Sequence, residues 1–178
     1  MLTIRIGLVA SLATLLMASA TASPLLPTAD SYVRDGQYAN TNYGSATSLV
    51  VKSSTSLGYN RDAYLAFDIS GVTGTIQTAT LSVYSASTVS TATSAGVYGV
   101  PGTAWGESTI TWNNRPALGA QIAQMSVAGT AGTWRQVDVT SYAAAQVSAG
   151  AKKLAFALHV PSTTSNAVIT AASRESAR

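Results

Sequence analysis

Every second residue is apolar and large in the stretch Leu154-Ala155-Phe156-Ala157-Leu158-His159-Val160. Successive side chains of a β-strand point to opposite faces, so Leu154, Phe156, Leu158 and Val160 are predicted to share one face. Small or polar residues occupy the other face. This alternation is typical of a strand that packs one face against a core.

Similar short segments recur along the chain, separated by clusters of Gly, Ser, Thr, Asn and Pro. Many short strands joined by polar turns predict an all-β fold, a single antiparallel β-sandwich. One short helix is predicted over residues 141–147, with Thr140 as its cap and Gly150 after its end, and residues 85–94 are predicted as a loop. The further strands are predicted at residues 48–52, 62–69, 79–84, 95–100, 122–127, 134–139 and 168–172.

The N-terminus has the zones of a secretory signal peptide. Arg5 precedes an apolar run over residues 6–18, and small residues follow at Ala20-Thr21-Ala22. The run is shorter than the roughly 20 apolar residues of a membrane-spanning helix. We therefore expect residues 1–22 to be a signal peptide, cleaved after Ala22 or, as second choice, after Ala20. Residues 23–178 would be secreted as one domain, with no membrane attachment.

Composition excludes some classes of function. The chain has 10 Lys and Arg against 7 Asp and Glu, and no cysteine. Because the basic residues are scattered, the clustered patch of a nucleic-acid-binding protein is missing. An exported chain without cysteine must be held by burial, backbone pairing or a metal, because it has no disulfides.

The sequence contains little that is typical of a catalytic site. Asp62 and Asp68 share a strand face, but six residues of about 3.3 Å each place them roughly 20 Å apart, too far for a glycosidase pair. His159 is the single histidine and is expected on the surface. No activated serine motif or phosphate-binding glycine loop occurs. The sequence predicts a protein that is not an enzyme.

Four motifs follow one another in a characteristic order: Ala29-Asp30-Ser31-Tyr32-Val33, then Tyr38-Ala39-Asn40-Thr41-Asn42-Tyr43-Gly44, then Arg61-Asp62-Ala63-Tyr64-Leu65-Ala66-Phe67-Asp68-Ile69, then Trp105-Gly106-Glu107-Ser108-Thr109-Ile110-Thr111-Trp112-Asn113-Asn114-Arg115-Pro116. Together, from Ala29 to Glu175, they resemble the DNRLRE domain, also described as carbohydrate-binding module family 96.

The resemblance implies a sandwich of jelly-roll type, non-catalytic binding of a polysaccharide, and alginate as the known ligand class. It also implies structural roles for Trp105, Glu107 and Trp112. Ser173-Arg174-Glu175 resembles the family's Ser-Arg-Glu element, after which members continue into one last apolar strand. That strand is missing from residues 23–178, so we expect an unpaired strand edge, reduced stability and possible self-association.

Two sets of binding residues are predicted. Tyr64, Tyr84 and Trp134 are turned away from the core by their strand alternation. With Arg61, Lys52 or Arg135 on the same face, such rings could stack a sugar and pair its carboxylate. Asp30 and Asp35 flank a loop rich in oxygen donors and are the candidate ligands of a structural calcium, while turn formation is the alternative role.

The sequence therefore predicts a secreted carbohydrate-binding module that takes a polysaccharide, with an anionic glycan such as alginate as the candidate. The alternative is an extracellular structural or adhesion protein without a sugar site.

Overall fold

The computed structural model describes residues 2–9, 23–86, 88–101, 104–161 and 168–177. Strands were expected at residues 48–52, 62–69, 79–84, 95–100, 122–127, 134–139, 154–160 and 168–172, and each is confirmed. The strands predicted at 79–84 and 95–100 begin earlier, at Thr75 and Val89, and the other ends shift little. The elements are β1 (Leu2–Val9), β2 (Ala29–Arg34), β3 (Ser48–Val51), β4 (Arg61–Asp68), β5 (Thr75–Ser85), β6 (Val89–Gly99), β7 (Gln121–Gly129), β8 (Thr133–Asp138), α1 (Thr140–Ser148), β9 (Lys153–His159) and β10 (Ile169–Ala172), with 3-10 helices at Gly36–Tyr38 and Arg174–Ala177.

The strands form two antiparallel five-stranded sheets, packed as the predicted sandwich. One sheet has the order β1-β5-β10-β3, with β8 also beside β5. The other has the order β2-β4-β9-β6-β7. At one corner the sheets meet, because Lys52 and Arg61 exchange two backbone hydrogen bonds of 3.0 and 2.8 Å.

Both faces of the second sheet are covered in its middle. Leu65, Phe67 and Phe156 lie in the main core between the sheets. On the opposite face, Tyr64 and Ala157 belong to a second apolar cluster, against which the segment after β6 packs. Strands β4 and β9 are therefore buried on both sides, which explains the alanines that alternate with larger residues in β9.

Local details differ from the predictions in three places. Strand β2 was not predicted as a strand, and β6 begins at Val89, inside residues 85–94, which were predicted as a loop. Helix α1 begins at Thr140 itself, and the Thr140 amide donates to the Asp138 carboxylate at 2.7 Å. The Thr140 hydroxyl is occupied elsewhere, because it accepts a hydrogen bond from the Ala79 amide at 2.9 Å. Gly150 follows the helix with a φ of 74°, as expected.

Strand β1 is made of residues that were predicted to begin a signal peptide. It pairs with β5 from Leu2 opposite Val83 to Val9 opposite Thr75, and it buries the side chains of Leu2, Ile4 and Ile6 in the core. Ala22 lies outside the described residues. Cleavage after Ala22 would remove β1, so the unpaired edge stays a prediction for residues 23–178. No helix in the described residues is long and apolar enough to cross a bilayer.

Removing residues 1–22 should lower stability. Each of the three buried aliphatic side chains of β1 contributes about 1.5–3 kcal/mol on burial, so residues 23–178 should unfold at a clearly lower urea concentration than residues 1–178. A synthetic peptide of residues 2–9 should restore part of the loss, whereas the same peptide with Ile4→Asp should not. Equal unfolding midpoints and a monomeric short form in sedimentation would show that β1 is dispensable.

Candidate functional site

Three cationic side chains lie together where the two sheets meet. Arg34 of β2 is directly opposite Arg61 of β4 in the strand register. Lys52 follows β3 and pairs through its backbone with Arg61. Residues of β2, of β4 and of the position just after β3 are thus brought to one corner, although they are well separated in the sequence.

Four tyrosines accompany these cations. The Arg34 guanidinium carbon lies 3.5 Å from the centre of the Tyr38 ring, and the Lys52 Nζ lies 5.2 Å from the centre of the Tyr59 ring. Tyr32 and Tyr43 stack with ring centres 4.3 Å apart and planes inclined by 20°. We call the whole group the basic tyrosine cluster. It comprises Arg34, Lys52, Arg61, Tyr32, Tyr38, Tyr43 and Tyr59.

The positive charge of this cluster has no acidic counterpart in contact. In the described part of the chain, Arg34, Lys52 and Arg61 form no salt bridge. Burial lowers the pKa of Arg61, and repulsion from Arg34 adds to that shift, while the charge of the nearby Asp35 opposes it. Burial also raises the pKa of Tyr32. An anion placed beside these cations would therefore relieve repulsion between them.

Asp35 shapes the loops around the cluster. Its carboxylate accepts hydrogen bonds from the Asn60 amide at 2.9 Å and from Asn60 Nδ2 at 2.7 Å. Arg34 Nε donates to the Gly58 carbonyl at 2.6 Å. Gly36 has a φ of 64°, and a Cβ there would lie 2.6 Å from the Gly58 nitrogen. Asn60 therefore donates to both Asp35 oxygens, which favours the alternative role of Asp35 in turn formation. A calcium ion shared by Asp35 and Asp30 stays a prediction.

Tyr84 and Trp134, two of the predicted sugar-stacking residues, lie together, and no described cation packs over either ring. They are opposite each other on β5 and β8, with ring centres 5.3 Å apart in an edge-to-face arrangement. Trp134 is 45% exposed. The predicted outward direction of these rings is confirmed, while Arg61 and Lys52 belong to the basic tyrosine cluster instead.

Tyr64 does not offer the surface that was predicted for it. It faces away from the main core, as alternation requires, but it is fully buried and donates to the Pro116 carbonyl at 2.9 Å. The segment that carries Trp105 covers it. The prediction of an exposed, sugar-contacting ring is therefore wrong at Tyr64, because a single-strand pattern cannot show which loop covers a face. Arg135 is half-exposed and donates to the Ala128 carbonyl, and its contact with sugar stays a prediction.

A second polar cluster joins β2 to two distant segments. One carboxylate oxygen from each of Asp30, Glu107 and Glu175 lies within 4.8 Å of the other two. Arg174 Nη2 and Nε donate to the two Glu107 oxygens at 2.7 and 2.8 Å. The Asp30 amide also donates to Glu107 at 2.8 Å. Burial raises the pKa of Asp30 to about 7, and the neighbouring carboxylates add to that shift.

The single histidine is not an isolated surface residue. His159 Nδ1 lies 2.7 Å from Asp62 Oδ1, and Arg115 Nε lies 3.8 Å from Asp62 Oδ2. Asp62 is buried. Both oxygens of the Asp62 carboxylate therefore have a cationic or hydrogen-bonding neighbour. Asp62, His159 and Arg115 together contain one carboxylate, whereas glycoside hydrolysis uses two.

Residues 21–178 match the family model described as carbohydrate-binding module family 96. The chain belongs to this family. It is also 35% identical over 165 residues to a Bacillus protein named gellan lyase, in an alignment that covers 89% of this chain and 6% of that protein. The chain thus spans a small part of the relative's length. Modules of this family are themselves non-catalytic.

Within this family member, sequence reasoning missed Arg34 and Tyr32 as candidate site residues. Both lie on β2, which was not predicted as a strand. Tyr32 lies in the motif that begins at Ala29, and Arg34 follows that motif directly. Because the two residues are two positions apart, they lie on the same face of a strand, and this spacing is the signal that could have found them. Tyr38, Tyr43 and Tyr59 lie in loops, where alternation gives no direction.

The expected structural role of the loop at residues 105–116 is confirmed by its contacts. Asn42 Nδ2 donates to the Glu107 and Ile110 carbonyls, each at 2.7 Å. The Arg115 guanidinium carbon lies 3.6 Å from the centre of the half-buried Trp112 ring. Asn40 and Asn42 act here as loop-forming residues. The loop at residues 38–44 and the loop at residues 105–116 are therefore fastened to each other.

Gly44 is predicted to be essential for this close approach. A Cβ at Gly44 would lie 2.1 Å from the Glu107 carbonyl oxygen, so Gly44→Ala must displace one loop. We expect a loss of about 1–3 kcal/mol in the free energy of unfolding, as for other overpacked sites, measured by urea unfolding. Gly71→Ala is the matched control, because a Cβ there meets nothing within 4 Å. Equal stability of the two variants would contradict the loop packing.

Proposed function

We propose that the protein is a non-catalytic module that binds an anionic polysaccharide through the basic tyrosine cluster. The observation that carries the proposal is a set of three cations that form no salt bridge with any described residue and lie beside four tyrosine rings. Family membership supports carbohydrate as the ligand. The unbalanced charge supports an anionic one.

The chemistry of the cluster suits a sugar that carries carboxylates. Tyrosine faces can pack against the C–H faces of a sugar ring, and Tyr59 is 49% exposed. Guanidinium groups pair carboxylates through two parallel hydrogen bonds. Because Arg34 is already held by Tyr38 and by the Gly58 carbonyl, little side-chain freedom would be lost on binding.

The name of the relative supports a polysaccharide ligand, and gellan is accordingly one probe beside alginate. The rival proposal is an extracellular structural or adhesion protein, for which the same cations would only improve solubility. The two proposals differ in one observable, namely retention of the folded protein by a soluble anionic polysaccharide.

Replacing two cations should weaken binding without unfolding the domain. For Lys52→Gln with Arg61→Gln, we expect roughly tenfold weaker retention in affinity electrophoresis, since two partly screened ion pairs contribute about 0.7 kcal/mol each. Tyr59→Ala should also weaken retention. Added salt should weaken wild-type binding, and neutral dextran should not retain the protein. Calcium is left out of the gels, because it would act on alginate itself.

Lys153→Gln is the matched control, because Lys153 is exposed and belongs to neither cluster. Trp134→Ala tests whether sugar binds at the Tyr84–Trp134 pair rather than at the basic tyrosine cluster. If Trp134→Ala weakens retention while the double variant does not, the sugar site lies at that pair. If a folded wild-type protein is not retained by alginate or gellan, the adhesion proposal is favoured.

We further propose that the protein is exported and cleaved after Ala22, on the N-terminal zones of the sequence. A molecule that has been cleaved after Ala22 has lost β1, so β1 can be part of the folded sheet only in uncleaved chains. N-terminal sequencing of the protein recovered from culture medium should begin at Ser23. Recovery of chains that retain Leu2 in their folded form would instead favour β1 as a permanent strand.

A further inference from the structure

The carboxylates of Asp30, Glu107 and Glu175 are arranged at the spacing of ligands around one cation. One oxygen from each lies within 4.8 Å of the others. Calcium holds its oxygen ligands at about 2.3–2.6 Å, so two ligands on opposite sides of the ion are separated by about 5 Å. Three oxygens at this spacing can therefore contact one ion without moving their backbones.

Two carboxylate oxygens in this group have no hydrogen-bond partner. Asp30 is 1% exposed, and its Oδ1 is buried without a partner. Glu175 Oε2 is also buried without a partner. Burial of a charged oxygen without compensation is costly, and unsatisfied buried groups are uncommon in folded proteins. This second observation is independent of the number of acidic residues and favours a cation as the partner of these oxygens.

Arg174 does not balance the charge of the group. It donates to both Glu107 oxygens, and its Nε also lies 2.9 Å from Glu175 Oε1. Its backbone amide donates to Asp30 Oδ2 at 2.9 Å. The guanidinium thus contacts two carboxylates, and the third accepts only the backbone amide of Arg174. The two oxygens that Arg174 does not contact are the two without partners. When all three carboxylates are ionised, a divalent cation matches the remaining formal charge.

We propose that Asp30, Glu107 and Glu175 form a calcium site that fastens β2, the loop at residues 105–116 and the 3-10 helix Arg174–Ala177 together. Calcium is favoured over magnesium because it accepts irregular sets of six to eight oxygens, whereas magnesium requires a near-ideal octahedron and keeps several waters. The remaining ligands would be second carboxylate oxygens, backbone carbonyls or water. The site is structural and lies apart from the cations proposed to bind sugar.

The test uses the protein stripped of metal with EGTA and then desalted. Calorimetric titration with CaCl2 should show one ion per chain, with a Kd of roughly 0.1–1 mM or tighter. At a tenfold excess over Kd, calcium should raise the thermal midpoint by about 3 °C or more, and MgCl2 by less. No calcium binding by the folded wild-type protein at millimolar concentration would overturn the proposal.

Conservative variants locate the ion. Asp30→Asn and Glu175→Gln should each weaken calcium binding by about tenfold or more while keeping a similar side-chain shape. Asp68→Asn is the matched control, because Asp68 is exposed and lies at the end of β4. Unchanged affinity in both site variants would place the ion elsewhere. Two variants are used so that one can still be measured if the other does not fold.

Discussion

The contact on which the arrangement of loops depends is the paired hydrogen bond between the Arg174 guanidinium and Glu107, at 2.7 and 2.8 Å. Both side chains are partly buried, with 30% of Arg174 and 20% of Glu107 exposed, and a charged pair with two parallel hydrogen bonds is stronger than a neutral hydrogen bond. Glu107 also receives the Asp30 amide, so one carboxylate connects three segments. Loss of either partner would leave a charge without compensation.

This connection also determines the surroundings of the proposed sugar site. The segment that carries Glu107 is fastened to the loop with Tyr38 and Tyr43 through Asn42 and the close approach at Gly44. Tyr43 in turn stacks on Tyr32, beside the Arg34–Arg61 pair. Structural residues of the family motifs thus hold in place the cationic and aromatic residues to which we assign binding.

Much of the fold follows from the sequence because alternation reports which strand face is buried. Strand β9 is the clearest example, with Leu154, Phe156 and Leu158 in the core. The basic tyrosine cluster is harder to predict from the sequence, because it is assembled by pairing between distant strands. Nothing in the residues around Lys52 shows that Arg61 and Arg34 are its neighbours. Tyr64 illustrates the same limit, since its covering segment begins some forty residues later in the chain.

The most direct test of the central claim is mapping of amide chemical shifts during titration with a carboxylated oligosaccharide prepared from alginate, in calcium-free buffer. The claim that unpaired cations beside tyrosines form the sugar site predicts the largest changes at Arg34, Lys52, Tyr59 and Arg61, with saturation at one common Kd. Changes centred on Tyr84 and Trp134, or none at millimolar oligosaccharide, would contradict it.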